Sequence, residues 1–545
     1  MRRQPSCPGR RLGVRYLVFN IHMLCYNKSL QTQVFDQIRS LILDGRLQAG
    51  MALPPTRVLA EKMRLSRNTV MIAYERLAAE GYIESRGTAG MFITSIPPDD
   101  LLVIRGTKAG SYPAELPVQV SDEPLLCFAG APGGGGDRPP LDFWVGRSAA
   151  SAFPLQTWRR IISNLLSSEP QYLTDYCDPS GLPKLRRVIA DHLARSRGMH
   201  VSMDQIIITA GGQDALNLVI GLLRENTRQL CIENPCYLGA SMLFRSEGLP
   251  IEAIPVDGEG IRSDRLPTAR GSLLYVTPSH QFPTGVMMSL GRRLALLRWA
   301  EDTESYIIED DYDSDFRYDG PPLTSLAGLD GGRRVFYAGT FSKSLGAGVR
   351  LGFAVVPRIY WDDARVIKAR MSNGQSWLEQ SALAEFVSEG HFDRHLRKLR
   401  QLYKARRDSL VAALHQHFGT PIISGQDGGL HFVWCLPPGM PSARLVQIRA
   451  RALGIGVYAL SSGGAYDFHD TAPDDMLMFG YSSLTEGEID RAISLLSEML
   501  RGEAGQKSIA PGNTHLAYGS TNSARELSFS RNATAGHMVN MATAK

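Results

Sequence analysis

Paired cysteines and long apolar runs are both missing from this 545-residue sequence. Its seven cysteines are odd in number and scattered, without a Cys-X-X-Cys pair, at positions 7, 25, 127, 177, 231, 236 and 435. That pattern argues against a disulfide framework and a structural zinc site and favours a reducing compartment, so we expect a cytoplasmic protein. No window approaches the roughly 18–20 consecutive apolar residues that a membrane-spanning helix needs.

Charge is nearly balanced over the whole chain but unevenly distributed along it. The sequence holds 59 Lys+Arg and 54 Asp+Glu, a formal net charge of +5. Residues 1–95 hold 14 basic and 6 acidic residues, although five of those arginines precede residue 16. The asymmetry permits a nucleic-acid partner for the N-terminal part without establishing one.

Residues 29–97 predict three helices followed by a hairpin. Apolar residues at helical spacing mark the first helix: Val34, Ile38, Leu41 and Ile42. Thr56 is the expected N-cap of a second helix, and a third helix runs from Arg67 to Glu80. A strand from Gly81, a tip at 86–90 and a return strand at 91–94 complete the plan of a winged helix-turn-helix, whose third helix enters the major groove.

The stretch LPPTRVLAEKMRLSRNTVMIAYERLAAEGYIESRGTAG, residues 53–90, closely resembles the GntR-type DNA-binding module. The resemblance implies that double-stranded DNA is the partner of this segment. The alternative for each arginine is a solvated charge at a helix end. The expected DNA-binding residues are Arg57, Ser66, Arg67, Asn68, Thr69, Arg86 and Gly90.

A second, larger domain is predicted after a linker. Residues 98–140 show no periodicity and contain four consecutive glycines at 133–136, which is typical of a linker. From 141 to 500, short and uniformly apolar strands near 206, 230, 273, 306 and 335 alternate with helices, which favours a mostly parallel sheet buried on both faces. The predicted fold class is therefore α/β behind an N-terminal winged helix. Residues 1–28 and 501–545 are expected to be a disordered extension and tail.

One lysine stands out after the last of these strands. The stretch GTFSKSLGAGVR, residues 339–350, places Lys343 among small hydroxyl residues and glycines. A lysine used in Schiff-base chemistry needs surroundings that can favour its neutral form. Thr340, Ser342 and Arg350 are residue types that hold a phosphate. The alternative is a lysine on a solvated loop.

Polar residues follow the other strands too, at the edge where ligands of such sheets bind. A Gly-Gly-Gln turn at 211–213 opens a helix and frees backbone N–H groups for a phosphate. Tyr237 offers an aromatic face. In the acidic run 309–315, a carboxylate could pair with a protonated ring nitrogen and Tyr312 could donate to a phenolic oxygen. A metal site or a solvated loop is the alternative for this run, but no histidine or further carboxylate at matched spacing supports a metal.

Taken together, these loops supply a set that suits pyridoxal 5′-phosphate, which needs a charged ring nitrogen to act as an electron sink. The motifs TPSHQFPTG, IIEDDYDSDFRYDG and GTFSKSLGAGVRLG resemble the fold-type I, aminotransferase-like domain of MocR-type (GabR-like) regulators in the GntR superfamily. These regulators are typically homodimers. The resemblance implies that Lys343 is the Schiff-base lysine, that Asp310 partners the ring nitrogen, and that Tyr312 bonds the ring hydroxyl. It implies that Tyr237 stacks on the ring, and that the phosphate is held by Gly211, Gly212, Gln213, Thr340, Ser342, Arg350 and, from the neighbouring subunit, Tyr176.

One position departs from the aminotransferase pattern. Enzymes of this fold usually bind the substrate carboxylate with an arginine near the C-terminal end, and Met478 occupies that place here. A thioether cannot make the bidentate bond that a carboxylate favours. The prediction is a transcriptional regulator that senses PLP, an amine or an amino acid at Lys343, without physiological turnover. The alternatives are a working aminotransferase with a vestigial DNA-binding module and a regulator that has lost PLP.

Overall fold

The computed structural model describes residues 28–95, 138–318 and 324–507. The chain divides into two units, residues 1–122 and residues 123–545. Nearly all of the predicted extension (1–28) and most of the predicted linker (98–140) and tail (501–545) lie outside the described residues. Among the described residues, no helix has both the length and the apolar composition that crossing a bilayer requires.

The smaller unit has the predicted winged helix-turn-helix arrangement. Val34, Val70 and Leu77 are fully buried in the core that its three helices share. Thr56, the expected N-cap of the second helix, is instead its first residue, because Pro55 holds the extended backbone before it and no side chain caps that end. The elements are α1 (Leu30–Leu43), α2 (Thr56–Met63), α3 (Arg67–Ala79) and the antiparallel strands β1 (Ile83–Ser85) and β2 (Met91–Ile93).

An eight-stranded mixed sheet forms the centre of the larger unit, in the order β4-β12-β11-β10-β9-β5-β7-β8. Six of its strands share one direction, and β12 and β8 run antiparallel to their neighbours. The five predicted strands are confirmed, and β7, β8 and β12 are additional. The strands are β4 (Ile206–Thr209), β5 (Gln229–Asn234), β7 (Ile251–Asp257), β8 (Gly260–Ile261), β9 (Ser272–Val276), β10 (Tyr306–Asp311), β11 (Val335–Thr340) and β12 (Gly352–Val355).

Helices cover both faces of this sheet, as the apolar strands predict. On β10, for example, Ile307 packs into one apolar cluster and Ile308 into the other. The last helix continues to Lys507, past residue 501, where the tail is predicted to begin. The helices are Leu155–Ser168, Pro183–Arg197, Gly212–Leu223, Leu238–Ser246, Leu290–Asp302, Leu326–Asp330, Trp361–Ser372, Trp377–Ser388, His391–Phe418, Ala443–Ala452 and Glu486–Lys507.

A second, four-stranded antiparallel sheet follows the long helix His391–Phe418, in the order β13-β14-β18-β16. Its strands are β13 (Ile422–Ser424), β14 (His431–Cys435), β16 (Tyr458–Ala459) and β18 (Met476–Gly480). Two short pairs complete the described strands: β3 (Leu141–Asp142) with β15 (Ile455–Gly456), and β6 (Cys236–Tyr237) with β17 (Ala465–Tyr466).

A buried ion pair joins the helix Pro183–Arg197 to the central sheet. Arg197 Nε donates to Asp311 Oδ2 at 2.8 Å, and the Tyr337 hydroxyl donates to the same oxygen. Both members of the ion pair are less than a tenth exposed. Because a buried charge needs a partner, this contact holds the end of β10, where the acidic run begins.

Replacing Arg197 by alanine leaves the Asp311 carboxylate buried without its cation. We expect the free energy of unfolding of the larger unit to fall by about 3–5 kcal/mol, measured by urea denaturation. Arg262→Ala is the matched control, because Arg262 pairs with Asp264 at an exposed site, where an ion pair adds little to stability. Equal losses in the two variants would contradict the assignment of this buried pair.

Candidate functional site

The carboxyl ends of the parallel strands bring the predicted residues to one edge of the sheet. Asp310, near the end of β10, lies opposite Ala338 of β11, and Lys343 follows the end of β11 by three residues. The antiparallel β12 begins at this edge, where Gly352 pairs with both Thr340 of β11 and Thr209 of β4. The residues that follow β4, β10 and β11 therefore lie at the same edge of the sheet.

Lys343 is partly buried, and its ammonium group has one hydrogen-bond partner, the main-chain carbonyl of Gly146. The distance from Nζ to that oxygen is 2.9 Å. Burial lowers the pKa of Lys343, while the carboxylates of Asp313 and Asp310 oppose that shift. Ser148 donates to the carbonyls of Ser342 and Lys343 and so fixes the turn that carries the lysine. These surroundings favour a more readily deprotonated amine than a solvated loop would.

Asp310 is 8 % exposed and accepts a hydrogen bond from the Tyr275 hydroxyl to its Oδ2 at 2.8 Å. Burial raises the pKa of Asp310 to about 7, and the bond from Tyr275 and the charge of Lys343 oppose the rise. A buried carboxylate of this kind is stabilised by a cation placed beside it. Sequence reasoning missed Tyr275, because one tyrosine in an apolar strand gives no signal of a polar role.

Two aromatic side chains flank this carboxylate. The Tyr312 hydroxyl donates to the His280 carbonyl at 3.0 Å and lies 3.2 Å from His280 Nδ1. Tyr237 and Tyr312 both make edge contacts with the ring of Phe282, at centroid distances of 6.0 and 6.1 Å. Phe282 therefore contacts both tyrosines. His280 was not among the predicted site residues, although it lies inside the motif TPSHQFPTG.

Gly239 explains how the Tyr237 ring is placed. A Cβ atom at position 239 would lie 2.5 Å from the Tyr237 ring, so a larger residue there would displace it. The Gln213 side-chain amide donates to the Gly239 carbonyl at 3.1 Å. The Gln213 side chain therefore binds the segment that carries Tyr237. The group of Gln213 that suits a phosphate is instead its backbone N–H, at the start of the helix.

The remaining predicted phosphate ligands form a cradle at the start of the helix Gly212–Leu223. Gly211 has a φ of 108°, and a Cβ there would lie 3.4 Å from Arg350 Nη1. Arg350 is exposed, and it has no ion pair among the described residues. The Ser342 backbone N–H donates to the Thr340 hydroxyl at 3.1 Å, and that hydroxyl donates to the Ser342 hydroxyl at 3.0 Å. A helix N-terminus, two hydroxyls and one guanidinium suit an anion.

Tyr176 differs from the other predicted cofactor residues. It is 89 % exposed, and no hydrogen bond or ring contact joins it to them within the described part of the chain. A cleft beside Lys343 includes only part of the predicted set. About 420 Å³ in volume, it is lined by Lys343, Tyr312 and Thr340 but not by Asp310, Tyr237 or Gly211.

In the smaller unit, most of the predicted DNA-binding side chains are exposed. Arg67 and Asn68 lie exposed in the first turn of α3, and Arg57 lies exposed near the start of α2. Ser66 has a structural role as well, because its hydroxyl caps α3 by accepting from the Thr69 N–H at 3.1 Å. These residues and the wing remain predicted contacts.

At the wing, both predicted residues lie in the turn between β1 and β2. Arg86 makes an ion pair with Glu84 at 2.7 Å and lies over the Phe92 ring. Gly90 has a φ of 109°, which few other residues adopt.

The arrangement in the larger unit fits pyridoxal 5′-phosphate. The buried Asp310 carboxylate needs a cationic partner, the lysine lies at the same edge, and the cradle beside Gly211 suits an anion. Met478, by contrast, is fully buried in an apolar cluster that also contains Val145, Phe282 and Val433. Position 478 therefore offers neither charge nor a hydrogen-bond donor.

Comparisons with known proteins agree with this geometry. Residues 148–445 match the family "Aminotransferase class I and II", and residues 30–93 match "Bacterial regulatory proteins, gntR family". The uncharacterized HTH-type transcriptional regulator YdeL of Bacillus subtilis is 33 % identical over 475 residues, 86 % of this chain and 97 % of that protein. The probable rhizopine catabolism regulatory protein MocR of Rhizobium meliloti is 33 % identical over 476 residues, 86 % of this chain and 93 % of that protein.

Among solved structures, an archaeal alanine:glyoxylate aminotransferase has a TM-score of 0.60 and 26 % identity. The similarity covers 66 % of this chain and 91 % of that one. That match covers two thirds of this chain, whereas both regulators match 86 % of it.

Asp310→Asn should change how stability depends on pH in the cofactor-free protein. Its folded pKa of about 7 exceeds the ordinary value of 3.8. Between those values the folded chain keeps a proton that the unfolded chain loses, so the free energy of unfolding falls as pH rises. As the pH rises from 5 to 8, we expect the free energy of unfolding of the variant to increase by about 1–4 kcal/mol relative to that of the native chain, measured by urea denaturation.

The comparison isolates Asp310, because Glu233 and Glu309, whose pKa values burial also raises to about 7, are present in both proteins. Asp264→Asn, at an exposed site, is the control for removing a carboxylate. Parallel stability profiles for the native chain and Asp310→Asn would count against a strongly raised pKa.

Proposed function

This chain belongs to the MocR-type family of HTH transcriptional regulators, in which a GntR module precedes an aminotransferase class I and II domain, and from that premise we propose that its larger unit is a PLP-binding sensor. The observation that carries the proposal is the meeting of Lys343 and Asp310 at one edge of the sheet. The signal is an amine or amino acid that reaches this site, or PLP itself. The site of action is the cytoplasm.

Each residue at the edge has a task toward the cofactor. When bound, PLP supplies an aldehyde that bonds an amine and a ring that withdraws electrons. With the cofactor bound, Asp310 would hold the proton of the ring nitrogen, and Tyr312 would donate to the ring oxygen. Tyr237 would pack against the ring, and the phosphate would be held by Gly211, Gly212, Gln213, Thr340, Ser342 and Arg350. Lys343 would provide the amine for covalent attachment.

The exposure of Tyr176 supports a homodimer. A tyrosine that is 89 % exposed in one chain is available to the phosphate cradle of a second chain. An effector can regulate DNA binding if it binds one arrangement of such a dimer more tightly than another. Double-stranded DNA is then read by the first turn of α3 and by the wing.

Met478 supports sensing over catalysis. A buried methionine leaves a substrate carboxylate without the cation that an aminotransferase uses there. Transamination is nevertheless a second candidate, since the larger unit matches the aminotransferase family. A turnover assay with a panel of amino acids and a 2-oxo acid acceptor distinguishes the two, and we expect no sustained turnover.

Lys343→Ala should abolish covalent attachment of PLP. We expect borohydride treatment to add the mass of the reduced cofactor to the native chain and not to the variant, measured by intact-protein mass spectrometry. Lys184→Ala is the control, because Lys184 is exposed and pairs with Glu385 on the surface. Equal labelling of the native chain and Lys343→Ala would refute Lys343 as the attachment site.

Arg67→Ala should weaken binding to DNA, because it removes a guanidinium from the first turn of α3. We expect a loss of about 1–3 kcal/mol in binding free energy. The measurement is fluorescence anisotropy with DNA from upstream of the gene and its neighbours. Arg262→Ala, in the larger unit, should leave the affinity unchanged, and an unchanged affinity for Arg67→Ala would contradict the proposed contact.

A further inference from the structure

Three buried side chains from distant segments lie close together beside Tyr312. They are His280 in the loop after β9, Asp313 after β10, and His431 at the start of β14. One possible ligand atom from each lies within 4.8 Å of the other two, and each residue is at most 3 % exposed. We propose that this cluster binds a divalent transition-metal ion such as Zn²⁺, through the Nδ1 atoms of the two histidines and an Asp313 carboxylate oxygen.

The hydrogen bonds of the two rings decide which nitrogens are available. His431 Nε2 lies 3.1 Å from the Pro283 carbonyl, and His280 Nε2 lies 3.4 Å from the Gly425 carbonyl. A carbonyl oxygen accepts only, so Nε2 of His431 carries hydrogen and, in the neutral ring, its Nδ1 presents a lone pair. The longer contact of His280 Nε2 is compatible with hydrogen on that atom, which is the tautomer that metal binding through His280 Nδ1 requires. A backbone carbonyl that receives the distal N–H of a ligating histidine is a usual companion of metal sites.

The environment of His431 Nδ1 is independent evidence for a ligand at this cluster. This atom is buried and has no hydrogen-bond partner, although the side chain is completely enclosed. A buried acceptor without a donor costs free energy, and a cation would remove that cost.

The contact between His280 and Asp313 points to a cation as well. His280 Nδ1 lies 3.0 Å from Asp313 Oδ2 and 3.2 Å from the Tyr312 hydroxyl, which donates its hydrogen to the His280 carbonyl. In the tautomer with hydrogen on Nε2 alone, Nδ1 and Asp313 Oδ2 are both acceptors. Two acceptors at that distance repel each other unless a proton or a metal lies between them. A proton shared by His280 and Asp313 is the competing explanation, but it leaves His431 Nδ1 without a partner.

The spacing is close to what a metal needs. Tetrahedral zinc, with bonds of about 2.0–2.2 Å, requires ligand atoms about 3.3 Å apart. The His280–Asp313 pair lies at 3.0 Å, and all three ligand atoms lie within 4.8 Å of one another, so zinc binding requires the most widely separated ligand atoms to move closer together. The Leu430 N–H donates to Asp313 Oδ2 at 3.3 Å and orients the carboxylate.

A glycine allows the backbone to approach this cluster. Gly429 has a φ of 74°, and a Cβ there would lie 2.3 Å from His280 Nδ1 and 2.7 Å from Asp313 Oδ2. A cleft of about 330 Å³ lies beside the cluster and is lined by His280, Asp313 and Gly429 and also by Arg197 and Arg317.

The test uses untagged full-length protein that has been treated with a chelator and freed of it. We expect isothermal titration with zinc chloride and elemental analysis to give one zinc ion per chain. His431→Phe should weaken zinc binding more than about tenfold. His415→Ala is the matched control, because His415 is an exposed histidine on the helix His391–Phe418. Zinc binding equal to the native chain's in His431→Phe, or no zinc in the native chain, overturns the proposal.

A measurement on the native chain avoids dependence on how the variant folds. Zinc should raise the melting temperature, and a chelator should reverse the rise. A melting temperature that zinc does not change indicates the shared proton and overturns the metal site. Lys184→Ala, which removes an exposed lysine that pairs with Glu385, should bind zinc as the native chain does.

Discussion

The structure of the site depends on the alternation of side chains at the end of β10. Successive residues of a strand face opposite sides of the sheet, so Asp310 and Asp311 separate where the strand ends. Asp310 is held by Tyr275 on the side of the predicted cofactor residues, and Asp311 is held by Arg197 and Tyr337. A shift of one residue in register would exchange these environments and leave the lysine without its carboxylate.

Sequence patterns were sufficient for the fold and for the edge of the sheet where the candidate residues lie. The uniformly apolar strands predicted a sheet buried on both faces, and the polar residues after them marked the edge at which Asp310 and Lys343 are found. What the patterns could not supply were partners that act through the backbone or from apolar segments. The Gly146 carbonyl that receives the Lys343 hydrogen bond has no side-chain signature, and Tyr275 is indistinguishable in the sequence from a core aromatic.

The histidine cluster illustrates the same limit. A search by spacing finds metal ligands that lie close together on one helix or loop. His280, Asp313 and His431 come from three segments, and the central sheet and the four-stranded sheet have to pack together before these residues meet. The acidic run therefore gave no sign of a metal when read alone, since two of the three ligands lie outside it.

The apolar surroundings of Met478 bear on how this fold could pass between signalling and metabolism. An arginine at 478 would place a guanidinium among Val145, Phe282 and Val433, where nothing in the cluster could neutralise it before a ligand arrived. Restoring an arginine that binds the substrate carboxylate would thus require several coordinated changes in packing. Such a barrier would keep a lineage that has lost the arginine committed to regulation.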